Sequence, residues 1–475
     1  MSTKKNWKEF TTEIFQQREG SGFSHQDWLS HFLKLLLIKY LSDIADAKSN
    51  EIAEYFSQMP SEFHWNNFVK AKNLGEALDK AIKEIGNTNP KLKSVFGEST
   101  FHKIPEISLL AMLSKFNEIK PDKPIFTLSS NYAVIAEDAI DFAANDEKYG
   151  GEYFTPKGIN KLLVNLLSPK ERMTIHDPVC GTGGLFIEYA KYLTEINEDF
   201  STLQFFGQEI NEQVYEICQI NLLLHGLDSF EIANGDTLRD PKFFKENKLK
   251  HFDGVIANPP FNLNDWGYEE AKKEDRFDRF RYGLPPKKNG DFAFIQHIVA
   301  TLENTSGKGV MIVSPGVLFR AGVEQEIRKH ILQSDIIEAA IGVSTNLLYN
   351  TNIPPAILVF NRKKPDDRKG KVLIIDASKE YHKIERGQNA LDDENTKNIV
   401  SIYKNFKNVD NIAKVVTLKE IEANDYQLNA NKFITPPRDK IDIQQEFEQL
   451  SQLELQRSQL ENKMNQCLRD LGISF

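Results

Sequence analysis

The sequence predicts an α/β fold: a doubly wound sheet with helices on both faces, preceded by an N-terminal helical domain and followed by a C-terminal helical tail. Three observations carry the prediction. Apolar residues recur at three-to-four spacing through the first 145 positions, with no sustained alternation. From Met173 to Ile375 short apolar runs take turns with amphipathic stretches, as strands and helices do. From Ile441 onward the apolar residues fall into sevens. The boundaries read 1–145 for the helical domain, 146–380 for the sheet domain and 381–475 for a helical region suited to docking a partner subunit.

In the first domain Trp28, Phe32, Leu35, Leu36, Tyr40 and Leu41, and later Leu109, Leu110, Leu113 and Phe116, mark helical faces. Pro60, Pro105, Pro121 and Pro124 punctuate them into a bundle. His31, His64 and His102 have no catalytic spacing and read as structural. The character changes at Tyr149. Gly150-Gly151-Glu152-Tyr153-Phe154-Thr155-Pro156-Lys157 precedes an amphipathic run, Ile159, Leu162, Leu163, Leu166 and Leu167, with Thr155 as N-cap and Pro156 at the first helical position. Such a helix start offers N–H donors and a partial positive charge to a carboxylate, with Tyr153 and Phe154 as apolar walls; simple capping explains the same residues.

Met173 to His176 then reads as a strand, Asp177-Pro178-Val179-Cys180-Gly181-Thr182-Gly183-Gly184 as a glycine-rich loop, and Leu185 to Leu193 as a helix. This is the first unit of a doubly wound fold, where ligands sit at the carboxyl ends of strands. The loop departs from the dinucleotide pattern, and the next strand-ending acid, Glu209, lies 32 residues beyond Asp177 instead of about 20, which argues against a nicotinamide enzyme. Leu203 to Glu209 is the second strand, its terminal acid placed to accept from two ribose hydroxyls. Asn211 to His225 follows as a helix. Phe230 to Ile232 is the third strand, leading to Asn234-Gly235-Asp236, where Asp236 can accept from an adenine amine.

The fourth strand, Val255-Ile256-Ala257, runs into Asn258-Pro259-Pro260-Phe261. Neither proline can donate to a ladder, so the strand stops at Asn258, and the fixed φ angles hold the Asn258 amide, two backbone carbonyls and the Phe261 ring in one geometry. An amide oxygen and a carbonyl can accept both hydrogens of a planar exocyclic amine while an aromatic face stacks on its ring, so the turn reads as a clamp for a nucleobase amine. A plain strand-to-turn boundary accounts for the same residues taken alone. Downstream, Lys272, Lys273, Arg276, Arg279, Arg281, Lys287 and Lys288 interleave with Phe277, Phe280 and Tyr282; they suit phosphate contact and base stacking, or a solvated loop balanced by its own acids. Phe292 to Ile298 is a helix, and Gly309 to Val313, Ile336 to Ile341, Ala356 to Phe360 and Val372 to Ile375 are the closing strands, after which the sheet pattern ends near residue 380. In the tail Arg457 and Glu446 interrupt the heptad seam, so the helix suits a partner surface or its own domain better than a self-sufficient coiled coil.

Bulk properties narrow the classes. Net charge is −9, from 59 Lys plus Arg against 68 Asp plus Glu, the wrong sign for gripping nucleic acid unaided. Cys180, Cys218 and Cys467 are too scattered for a metal knuckle or disulfide framework, so no metal is expected. No run approaches the ~18 apolar residues of a membrane span, and no signal-peptide core follows Lys4, Lys5, Lys8 and Glu9, which places the chain in the cytoplasm.

These motifs, in this order, closely resemble the modification subunits of type I restriction-modification systems, S-adenosylmethionine-dependent adenine-N6 DNA methyltransferases. The likeness runs over almost the whole chain, through Glu152 to Pro156, Asp177-Pro178 with Gly181 to Gly184, Gly207 to Asn211, Gly235 to Leu238, Ala257 to Phe261, Gly316 to Arg320, Glu326 to Arg328, and Asp425-Tyr426-Gln427-Leu428-Asn429. The resemblance implies a methyltransferase sheet between helical domains. It implies that Glu152, Tyr153, Phe154, Thr155, Pro156 and Lys157 border the methionine end of S-adenosylmethionine, that Asp177, Gly181, Thr182, Gly183 and Gly184 form its loop, that Glu209 holds its ribose and that Asp236 holds its adenine. Asn258, Pro259, Pro260 and Phe261 are the implied catalytic residues, acting on an adenine flipped out of double-stranded DNA. Cys180 stands where the family usually has a small residue. Implied partners are a specificity subunit that reads the DNA, a second modification subunit and a restriction subunit, with no membrane involvement. Cytosine-N4 or another amine remains a rival acceptor, and a catalytically idle scaffold a rival class. No Pro-Cys dipeptide occurs, which disfavours cytosine-C5 chemistry.

Overall fold

A computed structural model describes residues 6–18, 22–47, 59–68, 70–88, 90–97, 99–121, 127–144, 154–349, 351–384, 388–434 and 443–470. Nine strands form one sheet: β1 (Thr174–Asp177), β2 (Gln204–Glu209), β3 (Phe230–Asn234), β4 (Gly254–Ala257), β5 (Lys308–Val313), β6 (Ile337–Val343), β7 (Ala356–Asn361), β8 (Lys371–Ala377) and β9 (Ala413–Thr417), in the order β9-β8-β6-β7-β5-β4-β1-β2-β3. β7 runs antiparallel to β5 and β6, and β9 antiparallel to β8; the other pairs are parallel. β4 is buried along its length, and β5 from Gly309 onward, as continuous apolar runs in a sheet covered on both faces should be. Strand order reverses between β1 and β4, so the carboxyl ends of β1 to β4 flank a topological switch point, the crevice where such sheets take ligands.

The helices Lys157–Leu167, Gly184–Glu195 and Asp393–Asn405 share a hydrophobic core with the strands. The helix Asp291–Thr301 is buried throughout. The N-terminal helices build a second core around Trp28, Phe32, Leu36 and Phe116. That core takes Ile217, Ile220, Leu223 and Leu224 from the helix Glu212–Leu224, whose Cys218 and Leu222 point into the sheet core instead. One helix, apolar on two sides, thus joins the helical region to the sheet. Lys34 pairs with Glu216 at 2.8 Å, and Ser94 Oγ donates to Gln219 Oε1 at 3.1 Å along the same seam.

The sheet continues past residue 380, where the strand pattern in the sequence ends. β9 adds antiparallel to β8, and Ile399 and Tyr403 of the helix Asp393–Asn405 enter the sheet core. The strand was hidden because it is five residues long, sits on the edge and carries Lys414. The chain divides into two compact units, Met1–Phe433 and Ile434–Phe475. The second holds the helix Ile443–Asp470, which exposes Phe447, Leu450, Leu453, Leu460 and Met464. No helix among the described residues is long and apolar enough to cross a membrane.

Candidate active site

Because β1 to β4 are parallel neighbours, their carboxyl ends deliver Asp177, Gly181, Thr182, Gly184, Glu209, Asp236 and Asn258 to the wall of one cavity of about 340 Å³. Phe154, Thr155 and Lys157, before and at the start of the helix Lys157–Leu167, join that wall. Gly183, Pro156, Pro259 and Phe261 are not among its lining residues, and Glu152 and Tyr153 lie outside the described residues.

The first three edges are laced together by hydrogen bonds. Cys180 N–H donates to Gln208 O at 3.0 Å, and Gly181 N–H to Glu209 Oε2 at 3.1 Å. Asn211 N–H donates to Glu209 Oε1 at 2.9 Å, and Thr237 Oγ1 to Pro178 O at 2.5 Å. Each Glu209 oxygen still has a lone pair for a hydroxyl. Burial raises the Glu209 pKa, against the pull of those N–H donors. Asp236 keeps one lone pair, on Oδ2: Oδ1 accepts from Leu238 N–H at 2.8 Å and Arg239 N–H at 3.2 Å, and Oδ2 from Arg239 Nη1 at 2.9 Å. Asp177 is fully buried, and burial pushes its carboxyl up to about 8; Val179 N–H opposes the shift at 3.0 Å and the charge of Glu209 adds to it. Gly183 has φ +81°, and a Cβ there would come within 3.0 Å of Cys218 Sγ, so the loop lies against the helix Glu212–Leu224 as only glycine allows.

At the fourth edge Asn258 Nδ2 donates to Thr155 Oγ1 at 2.9 Å. Thr155 is not the helix N-cap that its position suggested. Pro156 takes that place, with ψ 139° outside the helical range, and its carbonyl accepts from Ile159 and Asn160 N–H at 2.9 and 3.1 Å, which leaves the Thr155 hydroxyl to the amide. Downstream, Asn262 adopts φ +53° and is latched by a network anchored on the buried Asp291. Its N–H donates to Asp291 Oδ1 at 2.8 Å, and its Oδ1 accepts from Arg320 Nη2 at 2.6 Å. Asp291 Oδ2 accepts from Ser314 Oγ at 2.6 Å and from Arg320 Nη1 at 3.0 Å. The turn is therefore held on both sides. Phe261 is half-buried against the sheet core, and the apolar wall near Asn258 comes from Pro260, Leu263 and Phe294.

Four residues of this neighbourhood were not singled out in the sequence for the roles they take. Asn160 and Asn221 line the cavity; their Nδ2 groups donate to Thr155 O at 3.4 Å and Thr182 O at 2.8 Å, and their buried Oδ1 atoms have no partner among the described residues. The signal was there: each is a polar residue amid an apolar stretch. Arg239 bridges Asp236 to Asp265 at 2.5 Å. Arg279, from the basic loop, is buried and donates to Thr237 O at 3.1 Å and Leu238 O at 2.5 Å, bracing the loop that carries Asp236. Arg276 stacks on Phe244 and Phe277, and Lys287 pairs with Glu269 at 2.6 Å, so much of that loop's charge is used internally. The cavity offers buried carboxylates, two orphaned amide oxygens and a glycine cradle. That set of acceptors fits the hydroxyls, amine and ammonium of S-adenosylmethionine, which donate.

The sequence profile of the N-6 DNA Methylase family matches residues 132–442, and that of the HsdM N-terminal domain residues 21–116. The chain is 32% identical over 414 residues to the type I restriction enzyme MjaVII methylase subunit of Methanocaldococcus jannaschii, covering 82% of this chain and 69% of that protein. It is 30% identical over 453 residues to the MjaIX methylase subunit of the same organism, covering 89% and 78%. Among solved structures, the type I restriction-modification system methyltransferase subunit from Streptococcus thermophilus superposes with a TM-score of 0.75 at 24% identity, over 90% of this chain and 100% of that one. A chain from a study of complex assembly and conformational transition of the type I R-M system gives 0.68 at 18% identity, over 97% and 99%. At these identities the structures speak for the fold.

Proposed function

The chain belongs to the N-6 DNA methylase family, and from that premise we propose how its residues carry out adenine-N6 methylation of DNA as the modification subunit of a type I restriction-modification system. The observation that supports the assignment most is the convergence of four strand ends, Asp177, Glu209, Asp236 and Asn258, on one cavity.

In this reading Glu209 holds the ribose and Asp236 the adenine of S-adenosylmethionine, while the loop Gly181 to Gly184 lets it approach the backbone. Glu152, Tyr153, Phe154, Thr155, Pro156 and Lys157 border its methionine end, and the free Oδ1 atoms of Asn160 and Asn221 accept from its ammonium. Bound there, it supplies an electrophilic methyl group on sulfur. The target adenine leaves the duplex at a cost of a few kcal/mol. Asn258 Oδ1 and the Pro259 carbonyl accept the two hydrogens of its N6 amine. Both acceptors are neutral, so they hold the amine without removing a proton beforehand and leave the nitrogen electron pair aligned to attack; the nitrogen releases one proton to water after the N–C bond has formed and the S–C bond has broken. Pro260 stiffens this turn, and the Phe261 ring stacks on the flipped base. Positioning supplies most of the acceleration, and no covalent nucleophile is required.

Partner subunits complete the activity. Net charge −9 and the internal use of Arg239, Arg276, Arg279 and Lys287 leave the chain poorly equipped to hold DNA alone. We therefore assign sequence reading to a specificity subunit, with a second modification subunit and a restriction subunit in the assembly, in the cytoplasm. The test is Asn258→Ala, assayed with and without the specificity subunit. Nucleoside mass analysis should find N6-methyladenine with wild type plus partner only, while calorimetry finds S-adenosylmethionine bound by the variant. Methylation by the variant would refute the clamp, N4-methylcytosine the acceptor, and tight sequence-specific DNA binding by the lone chain the division of labour.

A further inference from the structure

We infer that the Thr155 hydroxyl is a positioning switch which sets the orientation of the Asn258 amide according to whether a carboxylate occupies the cofactor side of the cavity. This rests on the functional reading above. An asparagine amide has nearly the same shape end for end, but its oxygen accepts and its nitrogen donates. Toward an amine, which presents hydrogens, only the Oδ1-inward orientation binds; the reverse sets donor against donor.

Asn258 Nδ2 donates to Thr155 Oγ1 at 2.9 Å, which turns Oδ1 away from Thr155. A hydroxyl alone does not enforce this, because it can also donate to Oδ1 and admit the flipped amide. The deciding factor is where the Thr155 hydrogen goes. No acceptor among the described residues takes it, and Thr155 lines the cavity beside the start of the helix Lys157–Leu167, whose first N–H groups favour an anion. An acceptor held there takes the hydroxyl hydrogen. The oxygen is then left only its lone pairs for Asn258, and the flipped amide is excluded. An amino-acid carboxylate thus readies the clamp before any base arrives. The isosteric Thr155→Val loses both interactions, whereas Thr155→Ser keeps them.

The experiment needs no turnover. Duplex binding by the chain with its specificity subunit is followed by fluorescence anisotropy, with saturating S-adenosylhomocysteine, with saturating 5′-methylthioadenosine, which lacks the amino-acid end, or with neither. The duplex carries either adenine or purine, which lacks the 6-amine, at the target position. For wild type and Thr155→Ser, S-adenosylhomocysteine should favour adenine over purine by about tenfold more than 5′-methylthioadenosine does, the worth of one correctly turned hydrogen bond. For Thr155→Val the two ligands should act alike, and kcat should fall by about tenfold at saturating cofactor. Full discrimination in Thr155→Val, or equal effects of the two ligands in wild type, would overturn the inference. Methylation by Asn258→Ala would instead overturn the functional reading on which it stands.

Discussion

Asp177 ends β1 fully buried, with one backbone donor, Val179 N–H at 3.0 Å, and no cation beside it among the described residues. Burial holds its carboxyl at about 8 in the folded chain, against 3.8 for the ordinary group. A raised pKa means that the folded state binds the proton more tightly. The stabilisation this confers is complete below pH 3.8 and is lost as pH climbs through 8. Replacing the carboxyl by a neutral amide, as in Asp177→Asn, keeps an Oδ1 for the Val179 donor and removes the titration. The variant should therefore be more stable than wild type by an amount that grows by roughly 1 kcal/mol per pH unit, about 3 kcal/mol between pH 5 and pH 8. Urea unfolding of both proteins at pH 5, 6, 7 and 8, followed by circular dichroism, reads the difference. Its cost should appear in calorimetry above pH 8, where the wild-type carboxyl is ionised, as weaker binding of a cationic cofactor. A stability difference that stays flat across this range would refute the reasoning, because the group would then not be titrating there.

Two further substitutions probe what holds the site. Asp291→Ala strips the acceptor from Asn262 N–H, Ser314 Oγ and Arg320 Nη1; stability should fall by about 2–4 kcal/mol and kcat should drop with the cofactor Kd unchanged, as thermal unfolding and steady-state kinetics would show. Glu137 gathers His225 Nε2 at 3.0 Å, Lys157 Nζ at 3.0 Å and Lys191 Nζ; against the opposing effect of burial, these donors hold its carboxyl below the usual range. Its stabilisation is present above pH 4.5 and is lost as pH falls, so Glu137→Gln should cost about 3 kcal/mol at pH 7, and denaturation at descending pH should show that gap closing.

The sequence displayed the strand ends because each combines a buried apolar run with an abrupt polar or glycine-rich stop, a local signal. It did not display what crosses the fold. The Thr155 to Asn258 bond spans 103 residues, and Arg279 reaches 42 residues back to Thr237 O. Nothing near Ala356–Asn361 distinguishes an antiparallel strand from a parallel one, since both are apolar runs when covered on two faces. The N-cap expectation failed for a related reason. Thr155-Pro156 has the right composition, but a hydroxyl caps only if no better partner competes, and the competitor came from the end of β4.

Buried acids distinguish the site from its scaffold more sharply than any motif does. Six are buried among the described residues: Asp177, Glu209, Glu216, Asp291, Glu324 and Glu338. Four have a cation at hand: Lys34 for Glu216, Arg320 for Asp291 and Glu324, and Arg368 for Glu338. Glu338 also accepts from Tyr403 OH and Asn361 Nδ2. Asp177 and Glu209, the two on the cavity wall, have backbone N–H donors alone, and both are shifted toward the neutral form. Burying a carboxylate without a counter-charge is among the costlier things a fold can do. A chain that pairs such groups elsewhere and leaves these two to backbone donors keeps hydrogen-bonding capacity on the cavity wall for a ligand that brings donors of its own. The two acids are thus hydrogen-bonding groups left without an internal cation on the cavity wall, a feature that marks the site apart from its scaffold independently of the Asn258 turn.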